Sequence, residues 1–270
     1  MIPPSGEQYE LVFGDQRAVV VEVGAGLRTY DDLLDGYPVD EMSTSGRGQI
    51  LAPWPNRIAE GVYAFDGHEY QLALTDPSEH GAIHGLVRWA TWSVVEREEA
   101  RIVLEHLLHP QPGYPFTLLM QVEYRLGSDG LTVRATAENA GTTACPFGCG
   151  FHPYFWPAGV STIDDMTLRI PGREPERLGS TVLDTAFTDL EPAADGRWRL
   201  QAGGVTVWAD EAWPYVVLFT GDPLPDVARR SIAIEPMTCP PQAFRTGESL
   251  IRLEPGDGWS GTWGIQPAGR

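Results

Sequence analysis

Leu119-Met120-Gln121-Val122-Glu123-Tyr124, then Gly127-Ser128-Asp129-Gly130, then Leu131-Thr132-Val133-Arg134-Ala135 reads as two strands joined by a turn. The same grammar recurs on both sides of it. Gly61-Val62-Tyr63-Ala64-Phe65 meets His68-Glu69-Tyr70-Gln71-Leu72 across Asp66-Gly67, a pair that tolerates the positive φ angles of a type I′ turn. Trp92-Ser93-Val94-Val95 is joined to Arg101-Ile102-Val103-Leu104, with the charged Glu96-Arg97-Glu98-Glu99 expected at the hairpin tip. Arg17 to Val23 reads as a core strand. Further strands are expected at Gly204 to Trp208, Tyr215 to Thr220, Ser231 to Ile234 and Ser249 to Leu253.

Thirty glycines and 23 prolines punctuate these runs, and no window carries a helical stripe longer than about two turns. The fold class that follows is all-β: two large packed sheets forming a β-sandwich. With 270 residues, no polar linker and no fixed-period repeat, residues 1–270 are expected to form one domain.

Composition narrows the partners. A formal net charge of −18 repels nucleic acid and anionic lipid, so neither is expected to bind. The start, Met1-Ile2-Pro3-Pro4-Ser5-Gly6-Glu7, lacks the basic and apolar regions of a secretory signal, and no stretch is apolar for long enough to span a bilayer. A cytoplasmic protein, monomer or homodimer, is the expectation. Cys145, Cys149 and Cys239 are an odd number of thiols; if the first two share a strand they lie about 13 Å apart, at ~3.3 Å per residue, too far to bridge. Buried, free thiols are expected, and their spacing is not that of a zinc-binding pair.

Two segments place one ionisable residue each among apolar and aromatic neighbours: Gly150-Phe151-His152-Pro153-Tyr154-Phe155 and Ile232-Ala233-Ile234-Glu235-Pro236-Met237. Such groups are costly to bury without partners, and a histidine with a glutamate has the chemistry of an acid–base pair. A core histidine on a backbone carbonyl and a glutamate capped by arginine are the structural alternatives. Leu51-Ala52-Pro53-Trp54-Pro55-Asn56-Arg57-Ile58 is too proline-rich for a central strand and would hold Arg57 in a set direction, or else leave it as a surface arginine. Ala82-Ile83-His84-Gly85 sets an imidazole beside a permissive glycine, and Asp184 could simply start a turn.

Taken in order, Pro53-Trp54-Pro55-Asn56-Arg57-Ile58, Phe65-Asp66-Gly67, His84-Gly85, His152-Pro153-Tyr154-Phe155 and Ile234-Glu235-Pro236 resemble the aldose 1-epimerases, the galactose mutarotase family. The resemblance covers most of the chain. It implies a large β-sandwich that binds a monosaccharide and interconverts its anomers without a cofactor or metal. It also implies His152 as general acid and Glu235 as general base, with Arg57, His84 and Asp184 on sugar hydroxyls and Phe219 against the ring.

The chain departs from the family's best-known members at Thr75, at Leu86 after His84-Gly85, and at Trp156 after Phe155, which bears on sugar specificity. Arg88 in His84-Gly85-Leu86-Val87-Arg88 resembles an element of the sister hexose-6-phosphate 1-epimerases, and a guanidinium there would bind a phosphate; a surface ion pair is the alternative. A non-catalytic sugar-binding protein would have no need of both His152 and Glu235. A glycoside hydrolase would ordinarily need two flanking carboxylates.

Overall fold

The computed structural model describes residues 2–156 and 162–268. Among them strands dominate, and the one α-helix is the single turn Ala243–Thr246. A nine-stranded sheet runs in the order Glu176–Arg177, Thr167–Arg169, Trp198–Ala202, Val205–Ala209, Gly258–Pro267, Gly130–Asn139, Leu118–Gly127, Arg101–Leu108, Ser93–Glu98. A second sheet runs Asp184–Phe187, Tyr215–Phe219, Ile232–Met237, Gly150–Phe151, Ile50–Leu51, with Tyr154–Phe155 also paired to Ile232–Met237. One apolar cluster joins them, holding Leu104, Met120, Val122 and Val133 of the first with Ile50, Phe151, Val216, Leu218 and Ile234 of the second. Phe151 touches Trp263 across the layers at 5.1 Å between ring centroids. This is the β-sandwich the sequence predicts.

The hairpin that anchors the sequence reading is longer than expected. Leu118–Gly127 and Gly130–Asn139 are ten residues each, with Gly127 paired to Gly130, so only Ser128-Asp129 forms the loop. The Asp66-Gly67 turn has both φ values positive, as its sequence requires. Of the charged tetrapeptide only Glu99 reaches the hairpin tip, with Ala100: Glu96, Arg97 and Glu98 lie in the strand Ser93–Glu98, paired with Val103, Ile102 and Arg101. That strand is the sheet edge and is exposed along its length, which accommodates charge and discourages edge-to-edge pairing.

The ten-residue strand Gly258–Pro267 escaped the sequence reading because Gly258, Gly261 and Gly264 break its β pattern. Two of those glycines are there for space. A Cβ at Gly261 would lie 2.6 Å from Trp213 Nε1, and one at Gly264 would lie 2.6 Å from the Trp208 ring.

Candidate active site

Alternation along the second sheet decides what faces the site. In Ile232–Met237, Ile232 and Ile234 point into the core cluster, while Ala233 and Met237 pack in small clusters on the opposite face. Glu235 shares the parity of Ala233 and Met237 and so projects from that outer face. Phe219 pairs with Ala233, and Asp184 pairs with Phe219, so all three residues come to the same face from adjacent strands. Pro236 does not end the strand, because its fixed φ is compatible with extended backbone.

His152 arrives by an interruption. Gly150 pairs with Met237 and Tyr154 pairs with Ala233, so one strand receives two short partners with His152-Pro153 between them. Only the Ile234 amide reaches across the gap, donating to the Pro153 carbonyl at 3.2 Å. The imidazole is thereby released from the ladder beside Glu235, with His152 Nε2 3.5 Å from Glu235 Oε1.

Both groups are buried, at 4% and 2% exposure. Burial pushes the His152 imidazole down to about 3, assisted by the positive charge of Arg88 and opposed by a backbone hydrogen bond. Burial pushes the Glu235 carboxyl well above the usual carboxylate range; the Asp184 charge adds to this and Arg57 opposes it. His152 Nδ1 and Glu235 Oε2 have no hydrogen-bond partner among the described residues. Buried polar atoms of this kind ordinarily find a partner, so these two mark the pair as unusual.

Arg57 and His84 meet because Arg57–Ala59 pairs with Gly81–Ile83. Trp54 anchors the preceding proline-rich turn in the core against Phe244, and the His84 amide donates to the Asn56 carbonyl at 2.9 Å. Thr75 Oγ1 accepts from the Ile83 amide at 2.9 Å, bracing the end of the strand that leads into His84. The His84 ring meets that of His152 edge-on, centroids 5.3 Å apart. Its Nδ1 is also unpartnered, and burial followed by the nearby His152, Arg88 and Arg57 holds it well below its ordinary pKa. Arg57 Nε donates to Asp76 Oδ2 at 2.7 Å, and Arg57 Nη1 lies 3.8 Å from Asp184 Oδ2. Burial tends to raise the Asp76 carboxyl, but hydrogen bonds from Arg57 and Ser78 outweigh it and hold it below the carboxylate range.

Arg57, Asp184 and Phe219 are partly or largely exposed, whereas His84, His152 and Glu235 are buried, so the first three form a rim above the buried His152–Glu235 pair. Arg88 is half-buried, and its guanidinium lies over the Trp89 ring at 5.2 Å. Among the described residues it makes no ion pair, and the charge of Asp76 acts on it. Burial lowers its pKa, partly offset by the charge of Asp76. All seven residues singled out from the sequence thus belong to one neighbourhood.

Sequence reasoning did not assign Asp76 or Tyr154. Asp76 sits in an unremarkable turn with no local signal. Tyr154 lies in the quoted histidine segment and stacks on His152 at 5.0 Å with 12° between the rings. Cys145, Cys149 and Cys239 are free and buried, and burial pushes the thiols of Cys145 and Cys239 up to about 12. Among the described residues no group of three or more His, Cys, Asp or Glu is placed to hold a metal ion, and no helix is long and apolar enough to cross a membrane.

An antiparallel sandwich carrying a buried histidine–glutamate pair beneath a polar, partly aromatic rim places the chain among the galactose mutarotase-like β-sandwich proteins. The chain belongs to the aldose 1-epimerase family, whose model matches residues 7–266. It is 35% identical to the uncharacterised Escherichia coli K12 protein YihR, over 93% of this chain and 90% of that one. It is 34% identical to galactose mutarotase of Sus scrofa over 42% of this chain and 32% of the enzyme. Its fold matches a GalM/aldose epimerase homologue from C. elegans at a TM-score of 0.83, with 17% identity, 97% of this chain and 99% of that one covered. A putative aldose 1-epimerase from Escherichia coli K12 matches at 0.80, with 20% identity over 96% and 98% of the two chains.

Proposed function

We propose that the protein is an aldose 1-epimerase that interconverts the α and β anomers of a hexose, with glucose or galactose as the leading substrates. The observation that carries this is the 3.5 Å approach of His152 Nε2 to Glu235 Oε1 in a buried setting. Anomer exchange requires a proton on the ring oxygen O5 while one leaves the anomeric hydroxyl. The C1–O5 bond then breaks, giving the open-chain aldehyde and a hydroxyl at C5. Rotation about C1–C2 exposes the other carbonyl face; the C5 oxygen attacks it, and the two protons return along the same routes.

Neutral imidazole with a carboxylic acid, and imidazolium with a carboxylate, differ by one proton moved within the pair. Burial disfavours the charged version, so His152 as imidazolium is a stronger acid, and Glu235 as carboxylate a stronger base, than their exposed counterparts. His152 donates to O5 and Glu235 takes the anomeric proton. Positioned transfers of this kind contribute ~10²–10⁴-fold in rate. Arg57, His84 and Asp184 hold ring hydroxyls, and Phe219 packs on the apolar face of the sugar. Persistence of three free thiols suits the cytoplasm.

Arg88 favours a second reading: a hexose carrying an anionic group such as a 6-phosphate. A half-buried guanidinium without a carboxylate partner is free to take an anion bidentately. The test is polarimetry or NMR exchange on freshly dissolved α-glucose, α-galactose and glucose 6-phosphate, for wild type and Arg88→Ala. Accelerated exchange of the neutral sugars by both proteins establishes the first reading. Acceleration of the phosphosugar alone, lost in Arg88→Ala, replaces it with the second. No acceleration of any of the three defeats both.

A further inference from the structure

His152 stands in a slot whose two walls are both tied to one turn. On one side the Tyr154 ring stacks on it, and the Tyr154 hydroxyl donates to the Ser45 carbonyl at 3.0 Å. On the other, the backbone of Gly46 lies so close that a Cβ there would sit 2.8 Å from His152 Cδ2, and Gly46 has φ +78°. The backbone of His152 is tied to the same stretch: its carbonyl accepts from Gly48 at 2.9 Å and its amide donates to Gln49 at 3.1 Å.

The turn is gripped by one distant carboxylate. Asp226 accepts from Thr44 Oγ1 at 2.6 Å, from Ser45 Oγ at 2.8 and 2.9 Å, and from Arg47 NH2 at 2.8 Å. It sits in the connection between Tyr215–Phe219 and Ile232–Met237, the strands that carry Phe219 and Glu235. Burial tends to raise its carboxyl, but those hydrogen bonds and the Arg47 charge hold it below the ordinary range, so it is ionised at neutral pH. Three donors of one four-residue turn thus converge on a single carboxylate, in bonds that its charge strengthens.

We propose that Asp226 is a positioning residue, which fixes the Thr44–Arg47 turn and through Gly46 and Tyr154 holds the His152 ring at its distance from Glu235. It touches neither substrate nor the acid–base pair. The catalytic consequence rests on the epimerase reading; the geometric one does not. A misplacement of about 1 Å at a catalytic group can cost ~10²-fold.

The test uses Asp226→Ala, with Thr44→Val/Ser45→Ala as a second protein that removes the same hydroxyl donors but keeps the carboxylate. In the substrate-free proteins, ¹⁵N-histidine NMR reads the His152 ring, assigned by its loss in His152→Gln. The expected result is a displaced or broadened His152 ring signal in both variants, with the other assigned ring signals unmoved. With it goes a fall in kcat of about 10- to 100-fold and KM within about threefold, on whichever sugar wild type accelerates. A wild-type His152 signal and wild-type kcat alongside a lowered melting temperature would overturn the proposal and leave Asp226 a purely structural residue. Should wild type accelerate no sugar, the ring signal alone still decides the positioning role.

Discussion

Replacing Glu235 by glutamine separates the site's chemistry from its packing. The amide keeps the size and one carbonyl oxygen but cannot take the anomeric proton, so the proposed general-base contribution disappears. That contribution is ~10²–10⁴-fold for a positioned base, and the expected loss in kcat lies in that range. KM should change little, because Arg57, His84, Asp184 and Phe219 remain. Stability should move the other way. The folded-state pKa of Glu235 is raised well above its unfolded value, chiefly by burial, so the stability it supports is complete below the unfolded value near 4.5. It is lost as pH rises through the folded value. Each pH unit of that window is worth about 1.4 kcal/mol.

Glutamine has no such penalty. Glu235→Gln should therefore melt higher than wild type at pH 8, by about 2–4 °C for each kcal/mol recovered, and the gain should shrink toward pH 4.5. The assays are NMR exchange at anomeric equilibrium and thermal unfolding followed across pH 4.5–8. Activity within threefold of wild type, or a gain in stability that does not grow with pH, would refute the assignment of Glu235 as the buried base.

Two further substitutions test neighbouring parts of the argument. His152 is held down to about 3 from 6.5, mainly by burial, so the unfolded chain takes up its proton first and folding stability is lost as pH falls through that window. At about 1.4 kcal/mol per pH unit, denaturant titrations of His152→Gln should show a loss between pH 7 and 4 smaller than that of wild type by about 3 kcal/mol, and equal slopes would count against a neutral buried imidazole. Gly85 has φ +70°, and a Cβ there would lie 1.9 Å from the Ala52 carbonyl oxygen, in the contact that fixes the approach of His84. Gly85→Ala should therefore cost roughly 2 kcal/mol or more of unfolding free energy, and a cost below 0.5 kcal/mol would show that the contact relaxes freely.

What could be read from sequence follows from where information is local. Hairpins with their own turn signal, such as Asp66-Gly67, were legible because the turn residues and the strand periods agree. The strand Gly258–Pro267 was not, because its glycines answer to Trp208 and Trp213, which are distant in the chain. Glu96-Arg97-Glu98 reads as a tip by charge alone, yet charge is equally at home on an exposed edge strand, and only the pairing order distinguishes the two. His152 and Glu235 were legible because ionisable groups in apolar runs are anomalous on their own. Asp76 and Asp226 were not, since each gains its meaning from partners 19 and about 180 residues away.

The same contrast explains how a sheet can build a catalytic site. Parity along Ile232–Met237 settles which face Glu235 takes, and a shift of one residue in that register would bury it in the sandwich core and turn Ile234 outward. The six consecutive buried residues of this strand strongly favour one register, because Ile232 and Ile234 belong to the main core while Ala233 and Met237 have smaller apolar neighbours on the other side. His152 is not placed by pairing with Ile232–Met237, since it lies in the gap between two fragments paired to that strand; its backbone is tied instead to Gly48 and Gln49. Its ring is oriented by side contacts, among them Tyr154, Gly46 and His84. Glu235 is thus positioned by the core of the fold, and His152 by its neighbouring rings and by a turn that Asp226 braces. On the proposed acid–base roles, substitutions that lower activity without touching substrate should therefore concentrate on the His152 side of the pair.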